Sequence, residues 1–141
     1  MNNEIQYRFQ KMALEQFAIL NTSVEGEAPV VGFQTEVQFG FDVENKVLKS
    51  QISLVMQHDE TLLVKAVLSC YFMIAPECVE RMIADGKLVF DQPILIQFAS
   101  FCYGALRGVL FAKTAETGLE RFVLPPLYFQ EIIHEPFVVE V

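Results

Sequence analysis

Few side chains in this sequence are of the types that do covalent or acid–base chemistry, and their spacing brings none of them together. His58-Asp59-Glu60 sets an imidazole beside two carboxylates, the parts of a general base and its orienting acid. Adjacent residues in a tight turn diverge, however, and do not converge on one substrate atom. His134 stands by Pro136 in another polar stretch, and both histidines read as surface residues. Cys70, Cys78 and Cys102 form no Cys-x-x-Cys pair, and with two histidines they give no metal-ligand spacing. There is no Gly-x-Gly-x-x-Gly, no Walker sequence and no Gly-x-Ser-x-Gly. The expectation is a protein that is not an enzyme and that uses no metal and no cofactor.

Composition points instead to apolar surface. Hydrophobic residues make up 52% of the 141, and charged residues 20%, against about 45–50% and about 25% in ordinary globular chains. Such a chain hides surface in an oligomer or exposes it for use. The net charge is −8, with ten basic residues scattered singly. That argues against nucleic acid and anionic membrane, which need clustered positive charge. Met1-Asn2-Asn3-Glu4 has no basic run and no apolar run after it, and the cysteine count is odd. Reduced thiols and a cytoplasmic location are expected.

The elements follow from periodicity. Phe33 to Phe41 alternates, with Phe33, Val37, Phe39 and Phe41 on one face and Gln34, Glu36 and Gln38 on the other, as in a strand with one wet face. Val47–Gln57 is a second strand, with Leu48, Ile52, Leu54 and Met56 inward. Leu62–Ile74 is a third, whose even positions are all apolar. The turns at 43–46 and 57–60 are short, which implies an antiparallel meander. Between Gln6 and Leu20 the apolar positions shift phase, from Tyr7 and Phe9 to Met12 and Leu14, then to Phe17 and Ile19. One long bulged strand accounts for this; an amphipathic helix over Met12–Leu20 competes. Asn21–Gly32 is then a loop carrying Val24, Val30 and Val31. Pro76 opens a short helix with Val79, Met82 and Ile83 as its buried stripe and Gly86 as its C-cap.

Pro93 to Ala112 is apolar on nearly every side, with Gln97, Ser100 and Arg107 its only strongly polar side chains. Its length fits a membrane span, but Arg107 within it costs about 2.5–3.5 kcal/mol near the bilayer centre, and strand-like alternation precedes it. No membrane span is expected. A helix covering one sheet needs one apolar stripe; this one offers a second, with Phe101 and Leu106 expected against a partner helix, and Phe98 and Ala105 in the same interface. Arg107 is expected to bond backbone carbonyls or an acidic partner.

The element order, together with three short motifs, resembles the SecB family of export chaperones. Phe72-Met73-Ile74 is similar to the family's Phe-x-Ile at the end of the last strand. Arg107-Gly108 sits late in the long helix, where the family has Arg-Gly. Leu124-Pro125-Pro126-Leu127-Tyr128-Phe129 is similar to its Leu-x-Pro-x-x-Phe. The likeness runs from about Tyr7 to Ile133, within one domain spanning 1–141. It implies an α+β fold: a four-stranded antiparallel sheet with helices packed on one face. It implies a homotetramer, a dimer of dimers with the long helices sandwiched between sheets. It also implies an ATP-independent holdase for unfolded polypeptide clients in protein export.

Carried onto this sequence, the client groove falls on Val24, Val30 and Val31 of the loop and on Tyr128, Ile132 and Ile133. Leu63, Val67, Tyr71 and Met73 on the outer sheet face add apolar surface. Ordinary packing or a subunit interface is the competing account of each. The family docks the translocation motor through acidic residues on the exposed sheet face. Lys65 stands at one such position, which argues against motor docking by that route. Two other functions fit the composition: an α+β domain binding an apolar small molecule, and a structural oligomerisation module. An enclosed pocket with convergent polar groups marks the first; apolar faces all filled by other subunits mark the second.

Overall fold

Alternating apolar residues build a sheet, and the sheet decides everything packed on it. The computed structural model describes residues 4–26 and 29–141. Glu27 and Ala28 of the predicted loop, and Met1-Asn2-Asn3, lie outside the described residues. Strands β1 (Tyr7–Ile19), β2 (Gly32–Asp42), β3 (Val47–His58) and β4 (Thr61–Ile74) form a four-stranded sheet in the order β1-β4-β3-β2. All its pairings are antiparallel. β2, β3 and β4 are the expected meander. The segment from Leu20 to Val31 must cross from one sheet edge to the other, because β1 pairs with β4 while β2 lies at the far side.

β1 is one strand with two bulges. Phe9 pairs with Phe72 and Lys11 with Tyr71, which leaves Gln10 unpaired; Leu14 pairs with Leu68 and Gln16 with Val67, which leaves Glu15 unpaired. Each bulge restores the phase that an added residue would lose. Tyr7, Phe9, Met12, Leu14, Phe17 and Ile19 thus share the face of β4's Phe72, Cys70, Leu68, Ala66 and Val64. The same device corrects a reading of β4. Met56 pairs with Val64 but Gln57 with Leu62, so Leu63 is the bulged residue. It is 0% exposed while Leu62 is 38% exposed. Leu63 belongs to the core, not to the outer sheet face expected from its odd number.

Helix α1 (Pro76–Arg81) follows β4, and α2 (Gln92–Lys113) lies across β3 and β4. Leu95, Phe98, Ala99, Cys102, Tyr103, Leu106 and Leu110 of α2 are buried. They close over Leu48, Ile52, Leu54, Leu68, Cys70 and Phe72. Pro93 sits in the first turn of α2, where its missing N–H costs nothing. By length and composition alone α2 is long and apolar enough to cross a membrane. α1 stops earlier than the apolar stripe suggested. Ile83 is exposed, in a two-residue strand β5 (Ile83–Ala84) that pairs with β6 (Lys87–Phe90). Asp85 and Gly86 both have positive φ, at 54° and 73°, the conformation of a type I′ hairpin turn. Gly86 is therefore a turn residue, not a helix cap. A last strand, β7 (Phe137–Glu140), pairs with β6. The ring of Phe137 stacks on Phe90 at 5.9 Å. Two single 3-10 turns, Leu119–Arg121 and Phe129–Glu131, interrupt the segment between α2 and β7.

Candidate functional site

α2 is centred over β3 and β4, so β1 overhangs it. The inward row of β1 is apolar but only partly covered: Tyr7, Phe9, Met12, Leu14 and Ile19 are all exposed. The edge of α2 reaches the near end of that row. Phe101 packs on Phe9, with ring centroids 5.0 Å apart, and on Phe72 at 5.4 Å. Gln97 donates a hydrogen bond to the Tyr7 hydroxyl at 2.9 Å. Continuing along the helix, Gly104, Gly108 and Phe111 are exposed and Ala105 and Val109 half-buried. The result is an apolar surface shared by a strand and a helix.

The expected interface residues divide across this surface. Phe101 and Ala105 are accessible on it. Phe98 and Leu106 are fully buried in the protomer's own core; Phe98 packs on Phe72 at 4.4 Å and on Tyr7 at 4.7 Å. Neither can meet a partner helix, because the sheet already occupies that side of α2. Arg107 also departs from expectation. Its side chain is exposed and makes no hydrogen bond or ion pair among the described residues. A partly uncovered apolar helix gives a long side chain an open path to water, so no carbonyl has to receive it.

A second apolar surface lies where the crossover segment meets the C-terminal segment. Val24 and Val31 are half-buried against the core, and Val30 is 80% exposed. Two side chains hold the crossover. Arg121 donates to the Val24 carbonyl at 3.4 Å, and the His58 Nδ1 lies 2.9 Å from the Val30 carbonyl. Nδ1 must carry the proton for that bond to form. His58, read as surface decoration, is thus a clamp on the loop, and its Nε2 is 3.7 Å from Asp59. Nothing within the turn itself signalled this, because the acceptor is 28 residues away. Beyond Arg121, the Tyr103 hydroxyl donates to the Pro125 carbonyl and the Gln92 side chain to that of Ile133. These bonds pin the proline segment along α2. Phe129 and Ile133 are buried there, while Val123, Tyr128 and Ile132 remain exposed.

The outer sheet face is separate from both surfaces. Val67, Tyr71 and Met73 lie on it as expected; Leu63 does not. Lys11, Tyr71, Lys49 and Gly40 form one row across all four strands. Lys11 Nζ sits 4.8 Å from the centre of the Tyr71 ring. The Tyr71 hydroxyl donates to Glu15 at 3.3 Å, and burial, then the Glu15 charge, raise its pKa. Lys65, in register with Val55 and Ala18, faces the same way.

The cysteines are free and buried. Cys102 on α2 meets Cys70 on β4, and its Sγ lies 3.4 Å from the Ser50 carbonyl. Its thiol is pushed far up, first by the hydrogen bond with Cys70 and then by burial. Among the described residues no group of His, Cys, Asp and Glu is placed to hold a metal ion. Open grooves of about 500 and 530 Å3 flank α1.

No protein-family model matches the sequence, and no curated protein matches it significantly. Solved structures do resemble it. One is the SecB-like chaperone Rv1957 of Mycobacterium tuberculosis, solved in complex with a ChAD peptide from the Rv1956 HigA1 antitoxin. The TM-score is 0.54 at 15% identity, covering 86% of this chain and 90% of that one. A protein of unknown function from Streptococcus agalactiae matches at a TM-score of 0.45 and 14% identity, over 89% of this chain and 99% of that one. The bulged first strand, the crossover, the meander and the overlying long helix are therefore a SecB-like α+β fold.

Proposed function

We propose that this chain is an ATP-independent holdase that binds unfolded polypeptide as a homo-oligomer, a tetramer built as a dimer of dimers. The observation that carries this reading is the uncovered apolar row on β1 and α2, in a SecB-like fold that also leaves Val30, Val123, Tyr128 and Ile132 exposed. Two uses of apolar surface are needed, one for a second copy and one for a client. The β1–α2 surface suits the copy, because it is continuous across a strand and a helix. The clamped crossover and the proline segment suit the client, with Val24, Val30, Val31, Tyr128 and Ile132 as contacts and Ile133 as support beneath. Flexible clients lose chain entropy on binding, so affinity comes from many modest apolar contacts.

The M. tuberculosis structure holds a peptide from an antitoxin, which supports a polypeptide client and makes a dedicated one the natural first candidate. A role in general export stands on the family likeness alone. Lys65 on the outer face opposes docking of a translocation motor through acidic residues, and a cytoplasmic residence is proposed from the odd cysteine count without a Cys-x-x-Cys pair. The grooves beside α1 are open to solvent, which favours this reading over an enclosed lipid site.

The test is suppression of aggregation. A guanidinium-denatured protein is diluted into buffer with stoichiometric amounts of this chain, and light scattering is followed. Suppression is expected at low and moderate salt, and Tyr128→Ser with Ile132→Ser should weaken it several-fold without changing the oligomer's mass. Failure to suppress aggregation of several different unfolded proteins sinks the holdase reading.

A further inference from the structure

Midway along α2, two sulfurs and a hydroxyl meet inside an otherwise apolar core. Ser50 on β3, Cys70 on β4 and Cys102 on α2 are each 0% exposed. Ser50 and Cys70 are cross-strand partners, so their side chains stand side by side on the inner face, about 4.5–5.5 Å apart at Cβ. Cys102 descends onto them from the helix. Its Sγ lies 3.4 Å from the Ser50 carbonyl and 3.5 Å from the Leu68 carbonyl, and the Cys102 and Cys70 thiols share a hydrogen bond. The third cysteine is engaged elsewhere: the Cys78 sulfur, on α1, takes the Gln6 N–H at 3.3 Å and Arg81 at 3.0 Å.

Packing alone does not account for these three residues. The Ser50 hydroxyl lies by the Cys102 thiol, is fully buried and has no partner of hydrogen-bond geometry among the described residues. An unpaired buried hydroxyl destabilises, and alanine would pack there without that cost. The Cys102 side chain has a one-carbon stem, yet its sulfur reaches the carbonyls of the sheet. The helix therefore sits close to the sheet at this point. A bond between the two layers needs that approach, since disulfide Cα atoms lie within about 7 Å of each other.

We propose that Cys70 and Cys102 form a reversible disulfide that staples α2 to β4 when the protein meets peroxide. Cys70 accepts the hydrogen bond from Cys102, which favours its thiolate and makes it the attacking sulfur. It takes one oxygen of hydrogen peroxide to become a sulfenic acid; its former proton and the departing hydroxyl make a first water. Cys102 Sγ then displaces the sulfenic oxygen, and its own proton leaves with that hydroxyl as a second water. The two sulfurs together lose two electrons, and the peroxide gains them. Hydrogen peroxide is small and uncharged, so brief local openings beside the uncovered edge of α2 admit it. The Ser50 hydroxyl is placed to donate to the sulfenic oxygen, the partner it lacks in the reduced state. The closed loop runs through α1 and the β5–β6 hairpin, and cross-linking so long a loop restricts the unfolded chain. In a reducing compartment such a bond is transient and reports oxidation. None of this depends on holdase activity.

The folded chain is treated with hydrogen peroxide, quenched, denatured and alkylated with iodoacetamide, and its peptides are sequenced by tandem mass spectrometry. Cys78 alone should be alkylated, and Cys70 should be found linked to Cys102. Dithiothreitol should restore all three thiols. The oxidised form should melt several degrees above the same sample after dithiothreitol, a comparison that methionine oxidation does not disturb. Cys70→Ala and Cys102→Ala should each give no intramolecular bond, and Ser50→Ala should slow bond formation several-fold with the same product. Circular dichroism establishes that each variant folds, and the wild-type readout stands without them. Three alkylated thiols after treatment, a bond through Cys78, or no gain in melting temperature overturns the proposal. An unchanged rate in folded Ser50→Ala overturns the part given to its hydroxyl.

Discussion

Phe9 on β1 and Phe101 on α2 touch at 5.0 Å between ring centroids, yet they remain 41% and 44% exposed. Two aromatic rings that meet and stay this wet mark the open seam of the protomer, along the edge of α2 that β1 overhangs. Burying such side chains fully is worth about 1.5–3 kcal/mol each, and in the proposed oligomer a second copy laid across the seam supplies the part of that burial still missing.

Phe101→Asp should therefore convert the proposed oligomer to a smaller species. The ring leaves only partial contacts within the protomer, so folding should survive with a small loss of melting temperature. Light scattering coupled to size exclusion reads the mass. An unchanged mass removes this surface from the interface.

Phe72 is the hub beneath the seam. Its ring packs on Tyr7, Phe9, Phe98 and Phe101, and it is completely buried. Phe72→Ala should cost about 3–5 kcal/mol, a large share of a total stability of about 5–15 kcal/mol. Denaturant unfolding measures the loss; a cost under 1 kcal/mol contradicts this packing.

His58 and Arg121 should act on the crossover and not on the core. His58→Ala removes the bond to Val30 and Arg121→Ala the bond to Val24. Each should speed amide exchange and proteolysis between Leu20 and Val31. Global stability should fall by only about 0.5–1.5 kcal/mol, the usual worth of one hydrogen bond. Equal exchange rates in wild type and variants contradict the clamp.

Alkaline pH should destabilise the fold. The bond between Cys102 and Cys70 raises the first thiol and lowers the second, so the pair sets no direction by itself. Tyr103 is held protonated by burial. A phenol whose folded pKa is raised contributes fully below its unfolded pKa and loses that contribution as pH rises through the folded one. With an ordinary value of 10.0, melting temperature should be flat in this group to about pH 9.5 and fall above it. Tyr103→Phe should flatten that fall, and an identical profile in that variant removes Tyr103 as its cause.

Much of the architecture was written in local pattern. Strand alternation set β2, β3 and β4, and the phase shifts of Tyr7–Phe9, Met12–Leu14 and Phe17–Ile19 announced a bulged β1, because an apolar face must stay on one side of a pleat. The Asp85-Gly86 hairpin is equally legible, as a dipeptide that tolerates positive φ, but the helical stripe beside it is the stronger pattern. Leu63 was not legible: an uninterrupted apolar run hides a bulge, and only the pairing of Gln57 with Leu62 and Met56 with Val64 reveals it.

By itself the sequence determined that the chain would build a mostly antiparallel sheet, place one apolar helix on it, and carry more hydrophobic surface than one protomer needs. It did not determine where the surplus lies. A helix apolar all round has no preferred side, so Phe98 and Leu106 against Phe101 and Ala105 was decided by how far α2 is displaced from β1. Likewise the clamp of His58 on Val30 and the row of Lys11, Tyr71 and Lys49 arise only from strand register. That register joins residues distant in the chain, and no periodicity within one segment encodes its neighbour.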